Sequence, residues 1–143
     1  MHRKISAYLS IFNDWDILPY ALRSVAAYVD ELIVVDGGYD WMVPILSAVG
    51  RSSVRSDDRV YEALESCGIP YRAICRTWAN ELEKRLAGYA ACKHDLVLRV
   101  DADEVLFVDD KEMEAALLKG AAVGEMEMPN YVAPGWISRN RHL

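Results

Sequence analysis

The sequence has 143 residues, of which 52% are apolar and 27% are charged, and its net charge is −6. This composition is typical of a globular chain with one substantial core and excludes a disordered protein, and no apolar run approaches the roughly 20 residues that a membrane-spanning helix needs. The acidic balance argues against nucleic acid as a partner, because neutralising a phosphate backbone requires a basic face.

The first part of the chain alternates strand patterns with a helix pattern. Residues 5–12 are apolar and aromatic, which predicts a strand. The segment after them predicts a helix, and its apolar stripe at steps of three and four consists of Trp15, Leu18, Leu22, Val25 and Val29. A second, nearly all-apolar strand over 31–35 runs into Asp36-Gly37-Gly38, where two glycines permit unusual backbone angles and a close approach by a ligand.

The remaining elements keep the same alternation. In order, we expect a short helix over 41–49, a polar loop over 51–56, a helix over 57–67, a strand over 70–76, a helix from 77 or 78, a strand over 96–100, a helix over 109–118 that begins with a capping box, and a strand over 121–128.

The helix that begins at 77 or 78 also has an apolar stripe. Asn80 suits its cap, and Glu81 and Arg85 are expected to pair one turn apart on its outer side. Its buried side is expected to consist of Leu82, Leu86 and Tyr89 or Ala90. We interpret three tryptophans as packing residues, namely Trp15, Trp41 and Trp78.

The most informative stretch spans residues 95–104, an apolar strand that ends in three carboxylates. Asp101, Asp103 and Glu104 fall within four residues. Where a strand ends, its side chains cease to alternate between two covered faces, so Asp101 and Asp103 can present oxygens to one point. Two carboxylates that close repel each other unless a cation lies between them, and hard oxygen ligands suit Mg²⁺ or Mn²⁺. The alternative is a solvated turn whose carboxylates cap the next helix.

Strands that alternate with helices predict an α/β fold, with a mostly parallel sheet and helices on both faces. In such sheets, ligands bind beyond the carboxyl ends of the strands. Asp36 and Asp101 both stand at strand ends of this kind. The sequence therefore predicts a ligand site at that edge of the sheet.

The cysteines indicate whether the protein is found in a reducing or an oxidising cellular compartment. Cys67, Cys75 and Cys92 have no close paired spacing, so neither a disulfide framework nor a zinc site is expected. A reducing compartment follows from this pattern. We therefore expect a cytoplasmic protein, either free or at the cytoplasmic face of a membrane.

Two separated stretches together resemble the family 2 glycosyltransferases of the GT-A fold, the Rossmann-like fold of nucleotide-diphospho-sugar transferases. Residues 28–38 look like that family's second strand and glycine turn, and residues 95–106 look like its metal-binding strand end. The first strand leading into Asn13 and the helix start at residues 78–81 fall in the expected order. The resemblance covers roughly residues 4 to 108.

This resemblance implies a domain that binds a nucleotide-diphosphate sugar, a UDP-sugar, and transfers the sugar with inversion to an acceptor that is a glycan, a lipid or a protein. Asp103 would ligate a Mn²⁺ or Mg²⁺ ion on the diphosphate, with Asp101 beside the ribose or the water shell of the metal. Asp36 would accept a hydrogen bond from the nucleobase, the N3–H of a uracil. The nucleotide-binding residues that the resemblance implies are Ser10, Ile11, Phe12, Asn13, Asp36, Gly37, Gly38, Asn80 and Asp101.

The chain also departs from the family pattern. Tyr39-Asp40 follows the two glycines, where the family has a small hydroxyl residue and an aspartate. An inverting transferase needs a carboxylate base to deprotonate the acceptor hydroxyl, and in the family this base and the acceptor-binding part follow the matched region. We expect a single domain over 1–143 whose acceptor-binding part is missing or reduced to 121–143, with Glu104 as the candidate base. The alternative is a truncated, catalytically incomplete domain that binds a nucleotide or a partner.

A second alternative is a haloacid dehalogenase-like phosphatase. Asp101-Ala102-Asp103-Glu104-Val105 also fits the nucleophile motif of that family. The family normally has this motif near its amino terminus and needs a lysine and further acidic residues well downstream. Because only about 40 residues follow the motif here, the phosphatase is the weaker hypothesis.

Overall fold

The computed structural model describes residues 4–107, 109–111, 115, 129–133 and 136–139. The chain divides into two compact units, Met1–Phe107 and Val108–Leu143. The first unit contains the strands β1 (Ile5–Ile11), β2 (Glu31–Asp36), β3 (Tyr71–Cys75) and β4 (Leu96–Asp101). Its helices are α1 (Leu18–Val25), α2 (Val43–Ala48), which follows a 3₁₀ turn at Asp40–Met42, α3 (Asp58–Ser66) and α4 (Glu81–Ala91).

The four strands form one parallel sheet in the order β3-β2-β1-β4. All six residues of β2 are buried, although successive side chains of a strand point to opposite faces. Both faces of the sheet are therefore covered at its centre, as is usual for parallel sheets. This explains why the sequence of β2 is almost continuously apolar.

The helices begin where the sequence supplies the required terminal residues. Pro19 lies in the first turn of α1, where its missing N–H is of no consequence. The side chain of Asp57 accepts from the Arg59 amide at the start of α3, and that of Asn80 accepts from the Glu83 amide at the start of α4. The predicted cap role of Asn80 is confirmed.

Helix α4 packs on the sheet with a face that the sequence did not predict. Lys84 and Gly88 are its buried residues, whereas the predicted buried side is exposed, with 66% for Leu82, 55% for Leu86 and 59% for Tyr89. The physical reason is Gly88, because a Cβ atom there would lie 3.0 Å from the Tyr8 ring of β1. The absence of that side chain allows α4 to approach β1 closely.

The tryptophans have three different environments. Trp78 is fully buried, as predicted. Trp15 is 43% exposed because α1 begins only at Leu18, so the stripe residue Trp15 precedes the helix. Trp41 is 65% exposed, and it belongs to a segment, residues 40–48, that contains no buried residue. The prediction that Trp41 is a packing residue is wrong, whereas Trp15 does pack at the surface, with the Arg59 guanidinium 4.1 Å from the centre of its ring.

The second unit contains an antiparallel pair, β5 (Pro129–Ala133) and β6 (Trp136–Arg139). No strand is predicted here from the sequence pattern. The predicted strand at 121–128 and most of the predicted helix at 109–118 lie outside the described residues, although Asp109 accepts from the Lys111 amide at 2.8 Å. In the described part of the chain, no helix is long and apolar enough to cross a membrane.

Candidate functional site

The carboxyl ends of β1, β2 and β4 lie at one edge of the sheet. Ile11 pairs with Asp36 on one side, and Ser10 pairs with Asp101 on the other. Because neighbouring strands are about 4.8 Å apart, the backbones at Asp36 and Asp101 are separated by roughly 10 Å across β1. The predicted residues after the two apolar strands thus share the edge at which ligands of parallel sheets bind.

The Asp36 carboxylate is fully buried and accepts four hydrogen bonds. One oxygen accepts from the Gly37 amide at 2.7 Å and from the Ser56 hydroxyl at 2.5 Å, and the other accepts from the Ser56 amide at 2.8 Å and the Tyr61 hydroxyl at 2.6 Å. Burial and the bond to Asp36 raise the pKa of Tyr61, which therefore remains a donor. A carboxylate has about four lone-pair sites. A nucleobase that bonded to Asp36 would have to displace one of these donors.

The glycine turn after β2 is tightly enclosed. Gly37 has φ +115°, and a Cβ atom there would lie 1.9 Å from the Arg76 carbonyl oxygen. The Trp78 indole donates to the Asp36 carbonyl at 2.8 Å, and the Trp78 amide donates to the Gly38 carbonyl at 3.1 Å. The turn is therefore held by the segment between β3 and α4, and also by the loop before α3, since the Gly38 amide donates to the Ser53 carbonyl at 2.8 Å.

The turn after β1 is fixed by the loop that precedes α3. Asn13 has the left-handed φ of 62°, its amide donates to the Ser56 hydroxyl at 2.9 Å, and its side chain accepts from the Asp57 amide at 2.8 Å. The Phe12 amide donates to Asp14 at 2.8 Å. Ser56 therefore connects the turn after β1 to the carboxylate at the end of β2.

Lys84 lies between the turns that follow β1 and β2. Its side chain is only 2% exposed, and Nζ donates to the carbonyl oxygens of Ile11 at 2.6 Å and Gly37 at 2.7 Å. Burial lowers the pKa of Lys84 to about 8, while the carboxylates of Asp36 and Asp14 oppose that change. Burial likewise raises the pKa of Asp14.

Asp101 is held by arginines. Arg85 Nη1 lies 3.2 Å from one carboxylate oxygen of Asp101 and Nη2 lies 3.3 Å from the other, although Nη1 is buried and not oriented for a hydrogen bond. Arg99 Nη2 lies 3.9 Å from the same carboxylate. The predicted Glu81–Arg85 pair is present, with 2.6 Å between Oε1 and Nη2. Arg85 therefore connects Glu81 on α4 to the end of β4 instead of pointing away from the sheet.

A cleft of about 580 Å³ adjoins this arginine pair. Its lining consists of Asn80, Glu81, Leu82, Arg85 and Arg99. The cleft is shallow and open to solvent rather than an enclosed cavity. The two guanidinium groups of this lining are balanced by two carboxylates, since Glu81 pairs with Arg85, and Asp101 lies close to both arginines.

Asp103 differs from Asp101 because it lies in the turn after β4 and is exposed. Within residues 4–107, no hydrogen bond or ion pair engages its carboxylate. Glu104 is half-buried, its amide donates to the Asp101 carbonyl at 3.0 Å, and burial together with the Asp101 charge raises its pKa.

The donor set fits a magnesium-like ion only in part. The described residues contain no group of three His, Cys, Asp or Glu side chains that could hold a metal. Mg²⁺ is nevertheless commonly bound by one or two carboxylates together with substrate phosphates and water. Asp103, with Asp101 nearby in the chain, can supply the one or two carboxylates that such a site needs.

Sequence reasoning found the acidic residues at this edge and missed their partners. Ser56, Tyr61 and Lys84 come from three separate segments and carry no motif. The one available signal was Gly88, because a glycine in the middle of a helix indicates close packing on that face, and Lys84 lies one turn before it.

No family model matches the chain. It is 28% identical over 104 residues to a Rickettsia bellii protein named as an uncharacterized glycosyltransferase, and the match covers 73% of this chain and 29% of that protein. The chain thus spans less than a third of the length of this relative.

The structure is similar to that of S. aureus TarS 1-349, with a TM-score of 0.57 and 17% identity over 81% of this chain and 32% of that one. It is also similar to M. tuberculosis glucosyl-3-phosphoglycerate synthase in complex with Mg²⁺ and uridine diphosphate, with a TM-score of 0.50 and 20% identity over 72% of this chain and 34% of that one. These likenesses confirm the predicted fold class, a mostly parallel GT-A-like sheet with helices on both faces.

Proposed function

We propose that this chain is the donor-binding part of a glycosyltransferase that uses a nucleotide-diphosphate sugar, specifically a UDP-sugar. The observation that carries the proposal is the shared sheet edge, at which β2 ends in Asp36 and β4 ends in Asp101, with the exposed Asp103 in the turn that follows β4. Two comparisons support it: the Rickettsia bellii relative is named as a glycosyltransferase, and a protein of similar fold was crystallised with Mg²⁺ and UDP.

The residues suit different parts of such a donor. In the cleft that Arg85 and Arg99 line, a diphosphate would replace the carboxylates that these guanidinium groups now face, since guanidinium groups pair well with phosphate oxygens. Asp103, with Asp101 beside it, would hold Mg²⁺ or Mn²⁺. When bound, the ion would neutralise charge on the diphosphate leaving group. The turns at residues 10–13 and 36–38 would line the nucleoside.

Transfer to an acceptor hydroxyl with inversion also requires a base. Glu104 directly follows Asp103 in the turn after β4, and we propose it as the base to test. The Glu104→Gln variant should retain UDP binding and lose transfer. The acceptor belongs to the classes of glycans, lipids or proteins.

The test is titration calorimetry with UDP, GDP and CDP, with and without Mn²⁺. We expect UDP to bind best, to require the ion, and to lose the metal-dependent part of its affinity in Asp103→Ala. Asp95→Ala is the matched control, because Asp95 is an exposed aspartate at the opposite end of the same strand. Equal UDP binding with and without the ion, or equal losses in both variants, would contradict the proposal.

The alternative is a nucleotide-binding module without transfer activity. The observation that favours it is the engagement of Asp101 by Arg85, which leaves Asp103 as the exposed carboxylate of the pair. Release of free sugar from a UDP-sugar distinguishes the two. Mn²⁺-dependent release that Asp103→Ala abolishes supports the transferase, whereas UDP binding without any turnover supports the module.

A further inference from the structure

We propose that Lys84 is a positioning residue that fixes the turns after β1 and β2 relative to each other, and thereby shapes the nucleoside side of the site. The proposal rests on the proposed function for the identity of the ligand. Its structural basis is the pair of bonds from one ammonium group to the carbonyl oxygens of Ile11 and Gly37, at 2.6 and 2.7 Å.

The position of these bonds is informative. The pairing of β1 with β2 ends at Ile11 and Asp36, so the ladder between the two strands stops there. Lys84 joins the carbonyls of Ile11 and Gly37, and so takes the place of the next connection between the strands. Both carbonyls lead directly into the turns that follow the strands. Those turns are where a parallel sheet binds its ligand.

Helix α4 is placed so that Lys84 can reach this point. Gly88 lies one turn further along the same face and allows the close contact with Tyr8. A buried ammonium loses much hydration energy, which its hydrogen bonds and nearby opposite charges must offset. A lysine serving only to fill space at this position would therefore be less favourable than an apolar side chain of the same length.

The surrounding groups make the ammonium sensitive to pH. The carboxylates facing it are Asp36 from β2, Asp14 from the turn after β1, and Glu81 from α4. The Tyr39 ring lies 5.7 Å from Nζ. Because burial lowers the pKa of Lys84 to about 8, its charge changes in an accessible range. A neutral amine would keep both contacts, with bonds roughly half as strong.

The first experiment needs no ligand. Carbon-detected NMR would follow the carbonyl ¹³C shifts of Ile11 and Gly37 between pH 6.5 and 9.5. We expect both to change with one common midpoint near pH 8, and we expect this transition to be absent in Lys84→Met. At pH 7, both shifts should also differ between the unmodified protein and Lys84→Met. Shifts that are equal in the two proteins at this pH, or that change equally with pH in both, would overturn the positioning role.

The second experiment measures UDP affinity with Mn²⁺ as a function of pH. At pH 7, Lys84→Met should bind at least about tenfold more weakly, because small misplacements of a binding group have large effects. The affinity of the unmodified chain should fall through pH 8, and that of the variant should not. Lys4→Met is the control, since Lys4 is exposed before the start of β1.

The outcomes separate the two proposals. If the unmodified chain does not bind UDP, the proposed function is wrong, and the carbonyl shifts still decide the role of Lys84. If Lys84→Met binds UDP with unchanged affinity and pH profile, the role of Lys84 is wrong while the proposed function stands. If Lys84→Met does not fold, the carbonyl shifts and the pH profile of UDP affinity in the unmodified protein decide whether Lys84 has the positioning role.

Discussion

The Asp36→Asn substitution is the most direct test of the description of the buried carboxylate. The amide would keep one oxygen and place an NH₂ group against two of the four donors that now face Asp36. If the NH₂ replaces the oxygen that Tyr61 contacts, the phenol can turn and accept, but the Ser56 amide then faces another donor. If the NH₂ group replaces the other oxygen, it is the Gly37 amide that faces another donor.

The magnitude follows from these bonds. Hydrogen bonds to a charged group contribute about 1.5–3 kcal/mol each, and a buried donor left without a partner costs a further 1–3 kcal/mol. We therefore expect Asp36→Asn to lower the free energy of unfolding by about 3–5 kcal/mol, a large part of the roughly 5–15 kcal/mol that a domain possesses. For an m-value of about 2 kcal/mol/M, the urea midpoint should fall by roughly 2 M.

The assay is urea unfolding followed by circular dichroism, with two comparison variants. Asp95→Asn, at an exposed aspartate, should change the free energy of unfolding by no more than about 0.5 kcal/mol. Tyr61→Phe removes one donor to Asp36 and should cost about 1–2 kcal/mol. Because the two residues are in contact, the double variant Asp36→Asn/Tyr61→Phe should be non-additive by at least about 0.5 kcal/mol. Asp36→Asn within about 1 kcal/mol of the unmodified protein would refute the reasoning.

Three further predictions concern the same edge of the sheet. Gly37→Ala should lower the free energy of unfolding in urea by more than about 3 kcal/mol, because its Cβ would lie 1.9 Å from the Arg76 carbonyl oxygen. Gly68→Ala, at φ +74° in open space, should lower it by about 1 kcal/mol, and equal losses in the two variants would contradict this prediction. Trp78→Phe should cost about 2 kcal/mol through loss of the indole bond to a buried carbonyl, and an unchanged thermal midpoint would argue against that bond. Because burial lowers the pKa of Lys84 to about 8 from 10.5, the unfolded chain binds more protons between these values. The unfolding free energy of the unmodified protein relative to Lys84→Met should therefore rise by about 2.5 kcal/mol between pH 8 and 10.5, and a constant difference would show that the lysine titrates normally.

The sheet could be predicted from the sequence because its signal is local. An apolar run such as β2 has to be covered on both faces, and the alternation with helices then requires parallel strands. The edge of the site followed from the same reasoning, since Asp36 and Asp101 each end an apolar strand. The register of Ser10 with Asp101 and of Ile11 with Asp36 agrees with that expectation.

The face of α4 could not be predicted, for a physical reason. Periodicity shows that a helix has an apolar stripe, but it does not show which stripe meets the sheet. Here the strand ends present carbonyl oxygens that need a donor, and Tyr8 needs space, so Lys84 and Gly88 point inward and Leu82 and Leu86 remain exposed.

The acidic residues of the site differ in how far their bonding is complete within the chain. The Asp36 carboxylate accepts hydrogen bonds from four donors of the chain. A carboxylate whose hydrogen bonding is complete within the protein fixes the positions of the residues around it. Asp103 is exposed and has no partner within residues 4–107, and such a group is available to a ligand.

This difference leads to opposite expectations for two aspartates. Asp103→Ala should change the free energy of unfolding by no more than about 0.5 kcal/mol, because it removes no contact of the described fold. It should nevertheless abolish the metal-dependent part of UDP binding. Urea unfolding and calorimetry on one preparation measure both quantities. A loss of stability in Asp103→Ala as large as that of Asp36→Asn would show that Asp103 supports the fold, and the division of roles between the two carboxylates would be wrong.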